Sequence, residues 1–335
     1  MKPCNSAPSF STSVQEFFCN HLIAQRNLSP QTVASYRDTF RLLLPFTQTR
    51  IKKTPSKLDL DDIDSPLILA FLDHLVKDRG NLARTRNVRL AAIRSFCQHA
   101  AVNEPTFLPN AQRILAIPMK RFDRPLLNFL SRQEMDSVIQ APDKSTWSGQ
   151  RDLVMFSTFY NTGARVSEII ALTVGDVFLG SSNYVKIHGK GRKERSIPLW
   201  KNTAKLVGTW IRRLNPNAAA RVFANRLGQP LTRSGIEHRL DMAVRKAIGL
   251  CPSLKEKNVT VHSVRHTTAM HMLQSGVDIT TIALWLGHES IATTHMYIEA
   301  DMRMKQRALE KTSEPSVKSG RFKATDKVLA FLDSL

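Results

Sequence analysis

The chain has 335 residues, 42% hydrophobic and 23% charged, an ordinary soluble composition with apolar material for two domains of ~100–200 residues each. Wholesale disorder is excluded, and so is a membrane-spanning helix: the longest clean apolar run, Leu67–Leu72, falls far short of the ~20 residues a bilayer demands. Forty-eight lysines and arginines against 28 acidic residues leave +20, a balance that suits a polyanionic partner.

The excess runs through both halves. Residues 1–120 carry 16 basic and 9 acidic side chains, a net of +7, which leaves +13 for the remainder. That distribution suits a protein gripping nucleic acid from two sides. Met1–Phe10 lacks the apolar stretch of a secretory signal. Cys4, Cys19, Cys97 and Cys251 are scattered without a C-x-x-C, so reduced thiols in the cytoplasm are expected rather than a disulfide framework.

The first hundred residues read as helices. Thr12–Arg26 places Val14, Phe17, Phe18, Leu22 and Ile23 at a 3.6-residue period. Ser29-Pro30 is a helix start, a Ser cap followed by Pro where its missing N–H costs nothing. That helix is predicted to run through Val33, Tyr36, Phe40 and Leu43 and to end near Pro45. Ser65-Pro66 repeats the device before Leu67–Val76. A fourth helix is predicted over Leu82–Ala101, with Val88, Ala91, Ile93 and Phe96 inward and Arg84, Arg86, Arg89 and Arg94 toward DNA.

Glu104–Pro125 holds four prolines and no sustained period, which predicts an interdomain linker, with Lys120 and Arg121 near phosphates. Ser131-Arg132-Gln133-Glu134 is a capping box, stapled by Leu130 and Met135. Helices are then predicted at Arg151–Tyr160 and Ala164–Leu172. Two strands follow, Tyr184–His188 and Arg195–Leu199, joined by the hairpin Gly189-Lys190-Gly191-Arg192-Lys193-Glu194. More helices are expected at Asn202–Arg213, Arg233–Ala247, Val264–Ser275, Ile279–Leu286 and Ile291–Leu309. Thr312–Thr325 reads as a polar tether. Asp326–Leu335 returns to a helical stripe of Val328, Phe331, Leu332 and Leu335.

Several chemistries lack their signatures. There is no G-x-x-x-x-G-K-[ST] loop, and Gly189-Lys190-Gly191 lies between strands without a third glycine. His262 and His266 stand four apart but lack the glutamate of H-E-x-x-H, so no metal ligand is assigned. The acidic run Asp59, Asp61, Asp62, Asp64 sits beside a helix start, where carboxylates meet the positive dipole end.

What remains is an ordered set of cations, histidines and one tyrosine. Arg165 follows the Gly163 turn, with Glu168 three residues on. Lys190 occupies the hairpin. His262 and Arg265 are three apart. His288 follows Gly287, and Tyr297 comes nine residues later.

In these motifs the chain resembles the phage-integrase family of tyrosine recombinases, which includes Cre-like and Xer-like enzymes. The resemblance covers essentially the whole chain, and its six motifs fall in order between Arg165 and Tyr297. The resemblance implies a mainly α fold with a small β-sheet: a helical SAM-like core-binding domain over 1–103, a linker over 104–125, and a mixed α+β integrase domain over 126–311. Residues 312–335 would be a tether and a helix for protomer contact. The family's active-site set falls on Arg165, Lys190, His262, Arg265, His288 and Tyr297, and its acidic support on Glu168. Val264 stands where Leu is usual, and Glu299 where His is frequent. Neither touches a catalytic role.

The chemistry agrees with that set. Attack on a phosphodiester builds negative charge at phosphorus, which Arg165 and Arg265 can clamp with planar, permanently charged forks. Tyr297 would be the nucleophile and Lys190 the general acid for the 5′-oxygen. His262 can take the tyrosine proton or hold a phosphate oxygen, and His288 can donate to another. Glu168 would orient His262 or Arg165. Lys193 and, more faintly, Lys186 rival Lys190. Arg192 and Lys193 are further candidate DNA contacts, and Asp176 is expected to be structural. Double-stranded DNA is the implied partner, held by a homotetramer on two sites, with no cofactor. The rival readings are a non-catalytic DNA-binding regulator and a relaxing topoisomerase or resolvase.

Overall fold

A computed structural model describes residues 9–122, 128–189, 193–214, 217–288, 294 and 297. The chain divides into two compact units, Met1–Arg124 and Pro125–Leu335. Among the described residues no helix is long and apolar enough to cross a membrane.

The first unit is helical. Its first helix, α1 (Phe10–Glu16), continues as a π-helical stretch, Phe17–Gln25. Then come α2 (Pro30–Ile51), α3 (Ser65–Lys77), α4 (Ala83–Asn103) and α5 (Leu108–Leu115). Ser29 caps α2 by accepting from the Thr32 amide, and Pro30 opens it. The helix does not stop near Pro45 as expected. Leu43 and Thr47 are buried on either side of the proline, so packing outweighs the ~3 kcal/mol that an interior proline costs. The α3 cap is Asp64 rather than Ser65, its carboxylate accepting from the Leu67 amide at 2.8 Å. Edge-to-face contacts of Phe96 with Phe10, Phe17 and Phe40, at 5.3–5.6 Å between centroids, knit the core.

The expected linker is corrected in part. Phe107, Ala111, Ile114 and Ile117 are buried in this unit's core, so residues 105–117 belong to it. The DNA-facing reading of α4 is corrected too. Arg86 is 4% exposed and donates to the Pro118 carbonyl at 3.1 Å. Arg89 donates to the Ser35 carbonyl and the Thr39 hydroxyl, and Arg94 to the Leu115 carbonyl. These guanidiniums tie α4 to α2, to the last residue of α5 and to the chain after it. Arg84, Lys120 and Arg121 are exposed, as is Val88, which was expected inside.

The second unit surrounds α7 (Trp147–Thr162), which is buried along most of its length. Before it comes α6 (Arg132–Gln140), opened by the Ser131/Glu134 capping box. After it come α8 (Val166–Ala171) and a three-stranded antiparallel sheet of order β1-β2-β3: Val177–Phe178, Tyr184–His188 and Glu194–Pro198. The β2–β3 register pairs Tyr184 with Pro198 and His188 with Glu194. Val185, Ile187 and Ile197 point into the core by the period of two. The remaining helices are α9 (Lys201–Leu214), α10 (Arg233–Ala247), α11 (Val261–Gln274) and α12 (Ile279–Leu286). The helices expected at Ile291–Leu309 and Asp326–Leu335 lie outside the described residues, apart from Thr294 and Tyr297 in the first.

Candidate active site

Two helix ends build the floor of the site. Helix α7 ends at Gly163 and α12 at Gly287, both left-handed, with φ of 58° and 66°. A Cβ on Gly163 would lie 2.5 Å from Leu286 Cδ2, so the two ends approach closely because Gly163 has no side chain. Helix C-termini present unpaired carbonyls and the negative end of the dipole, a setting that holds cations.

Two arginines occupy it. Arg265, projecting from α11 and 3% exposed, donates to the Gly163 carbonyl at 2.7 Å and the Leu286 carbonyl at 2.8 Å. Arg165 caps α8 and donates to the Gly287 carbonyl at 3.1 Å. Burial, then the neighbouring Arg165 charge, lowers Arg265 to about 10, so it remains a cation at neutral pH. Arg265, desolvated and repelled by the half-exposed Arg165, forms with it a receptor for an anion, which would relieve Arg265's penalty.

Glu168 sits behind Arg165 and is buried. It accepts from the Arg165 amide at 2.8 Å and guanidinium at 2.9 Å, and from Arg195 at 2.7 and 3.2 Å. Of the two partners the sequence left open, it takes Arg165. Burial works to raise its carboxyl, but the hydrogen bonds from Arg195 and from the Arg165 amide prevail and hold it below the ordinary range.

Tyr297 is 1% exposed, in a small cluster with Ala269, Met270, Leu273, Ile282 and Leu286. Its hydroxyl lies 3.0 Å from His266 Nδ1. Burial pushes the phenol up to about 12, against the downward pull of Arg265 and Arg165. His288 stacks on Tyr297 at 6.3 Å, and its Nδ1 is 2.7 Å from the Thr294 hydroxyl. His262 is exposed, with its ring 5.0 Å from that of His266. The imidazole on the tyrosine hydroxyl is therefore His266 in this structure, rather than His262, whose two expected roles were to take the tyrosine proton or to hold a phosphate oxygen.

Arg165, Glu168, Arg265, His288 and Tyr297 thus come together, while Lys190 and Arg192 lie outside the described residues. Lys193 is exposed. Lys186 pairs with Glu194 at 2.5 Å, which weakens it as a rival acid. Asp176 accepts from the Thr173 amide and hydroxyl and meets His188 Nε2 at 2.8 Å, a structural role. Sequence reasoning missed Arg195 and His266 as site residues. The spacing of His266 from His262 had suggested only a metal pair, and Arg195 read as a strand residue.

His266 and His288 are both pushed down to about 4, chiefly by burial, then by neighbouring positive groups. Unfolded imidazoles titrate near ~6.5, so between about 6.5 and 4 the unfolded chain binds protons the folded one refuses. Stability is therefore expected to fall as pH drops through that window and to be unaffected by these groups above it. Urea midpoints at pH 7.5 and 4.5 will show the drop, and His266→Asn will narrow it. An equally large drop in His266→Asn would contradict a neutral, half-buried His266.

The model of the phage integrase family matches residues 128–304, and that of the phage integrase N-terminal SAM-like domain matches 15–104. The y4rC protein of Sinorhizobium fredii, described as a candidate integrase/recombinase, is 46% identical over 327 residues, 98% of each chain. Tyrosine recombinase XerD of Staphylococcus epidermidis is 30% identical over 298 residues, 86% of this chain and 93% of the relative. Among solved structures, a lambda integrase tetramer bound to a Holliday junction shares the fold, with a TM-score of 0.63 and 18% identity over 88% of this chain and 78% of that one.

Proposed function

Since the chain belongs to the phage integrase family and is a tyrosine-type site-specific recombinase, we propose that it cuts and rejoins duplex DNA through a 3′-phosphotyrosyl link on Tyr297. The observation that carries this reading is the convergence of Arg165 and Arg265 on the ends of α7 and α12, with Tyr297 within their electrostatic reach. Tyr297 Oη bonds to phosphorus as the P–O5′ bond breaks. The phenol proton passes to an imidazole, and the 5′-oxygen gains a proton from Lys190. No bond energy is lost to hydrolysis, so the freed 5′-hydroxyl of another strand reverses the step without ATP, and paired exchanges pass through a Holliday junction.

The assembly we propose is a homotetramer on two DNA sites, serving integration or excision of a mobile element. The lambda integrase tetramer on a junction supports this assembly by analogy of fold. The apolar stripe of Asp326–Leu335 would bridge protomers. Incubation with two differently labelled duplexes carrying the flanking genomic DNA tests the activity. Exchanged products support recombination, whereas relaxation of supercoils without exchange supports the topoisomerase alternative.

Two expectations follow for DNA handling. Lys190→Ala will cleave a normal phosphodiester slowly and be rescued by a 5′-bridging phosphorothiolate, whose leaving sulfur needs no proton; Arg165→Ala will not be rescued. Rescue of Lys193→Ala instead would move the acid role to that residue. Binding will also be strongly salt-dependent, with Arg84, Lys120, Arg121, Arg192 and Lys193 as phosphate contacts. Each neutralised phosphate adds ~0.9 to the slope of log affinity against log salt. Removing the first unit will flatten that slope by several contacts, and an unchanged slope would contradict a two-sided grip.

A further inference from the structure

We infer that Arg195 is a positioning residue of the recombinase site, the counter-cation that keeps Glu168 from neutralising Arg165. The inference rests on the phosphoryl-transfer reading above. It starts from a charge count around one buried carboxylate. Arg165 and Glu168 alone would form a closed ion pair of zero net charge, a poor receptor for a phosphate. Arg195 reaches the same carboxylate from β3, at 2.7 and 3.2 Å, through a side chain 12% exposed. The trio therefore carries +1, and with Arg265 the pocket carries +2. A carboxylate shared between two forks fixes Arg165 without consuming its charge.

The geometry around Arg195 is built rather than incidental. Its Nε donates to the Trp285 carbonyl at 2.8 Å, at the C-terminal end of α12, two residues before Gly287 and three before His288. A Cβ on Gly287 would stand 2.9 Å from Arg195 Nη1 and 3.2 Å from Cζ, so the glycine leaves room for the guanidinium as well as taking the left-handed turn. A Cβ on Gly189, the residue before Lys190, would stand 3.6 Å from both Arg195 Nη1 and Glu168 Oε1. One guanidinium thus links the hairpin strand β3, the Arg165 cap of α8 and the α12 end that presents His288. An Arg195 that merely stabilised the fold would need none of this relation to charge at the phosphate.

The test uses the full chain and two nicked suicide substrates, one with an ordinary scissile phosphate and one with a neutral methylphosphonate at that position. Arg195→Gln is expected to slow covalent complex formation on the phosphate by ~10²-fold, the loss typical of one preorganised electrostatic contact, with DNA affinity nearly unchanged. Arg195→Lys restores part of the rate, since it keeps the charge but not the fork. Arg195→Gln combined with Glu168→Gln also recovers part, because Arg165 is no longer neutralised. On the methylphosphonate the gap between wild type and Arg195→Gln closes to within ~3-fold, because the anion that needs the cation surplus is gone. An Arg195→Gln as fast as wild type on the phosphate, or equally slowed on both substrates, overturns the inference. A wild-type protein that forms no covalent complex overturns the phosphotyrosyl reading itself, and this role with it.

Discussion

Tyr297→Phe will bind its DNA as the native protein does and form no covalent complex. The substitution removes one oxygen from a fully buried ring, so the cluster of Met270, Leu273, Ile282 and Leu286 around it stays packed. Among the described residues, the hydrogen bond it loses is the contact with His266 Nδ1. A neutral hydrogen bond of this kind contributes ~0.5–1.5 kcal/mol net, so the melting temperature should move little. Cleavage, by contrast, should be lost, because the proposed nucleophilic oxygen is gone. A denaturing gel after incubation with a nicked suicide substrate reads both states at once. A shifted band from Tyr297→Phe would remove Tyr297 from the chemistry.

Arg265→Ala carries the second largest effect, and it has two separable parts. The first is chemical: one of the two cations proposed to face the phosphate disappears, at an expected cost of ~10²–10³ in the cleavage rate by the scale of lost oxyanion donors. The second is structural: the Gly163 and Leu286 carbonyls lose their donor. Each buried group left unsatisfied costs ~1–3 kcal/mol, so Arg265→Ala should also unfold at lower urea. Arg265→Lys separates the parts, since a single ammonium keeps the charge but cannot span both carbonyls with a planar fork. Arg165→Ala is the contrast. Its side chain is 36% exposed and bonds one carbonyl, so a comparable loss of rate should come with a smaller loss of stability. Single-turnover cleavage and urea titration of the three variants measure both parts. An Arg265→Ala that cleaves at the native rate would contradict the clamp.

Local signals in the sequence proved legible where the structure depends on neighbours a few residues apart. Ser29-Pro30 starts α2, Ser131 and Glu134 cap α6, and the β2–β3 hairpin falls where period-two alternation placed it. Arg165 and Glu168, three residues apart on one turn, meet as spacing requires. What was not legible depends on partners far along the chain. Arg86, Arg89 and Arg94 looked like a basic face because charge alone cannot distinguish solvent from a carbonyl 21 to 54 residues away. Arg195 alternates properly in its strand, and nothing local says that its fork meets Glu168 on α8 and the end of α12. His266 lies one residue after Arg265, and only tertiary folding sets its ring on a hydroxyl 31 residues on. The prolines of residues 104–125 hid α5, because Pro109 sits in its first turn, where proline breaks nothing.

The most direct measurement is the identity of the bond formed with DNA. The native protein is trapped on a nicked suicide substrate in EDTA, digested, and the DNA-linked peptide is sequenced by mass spectrometry. A 3′-phosphate esterified to Tyr297 is the predicted result. A 5′-linked adduct, an adduct on another residue, or cleavage that leaves no adduct would contradict the account.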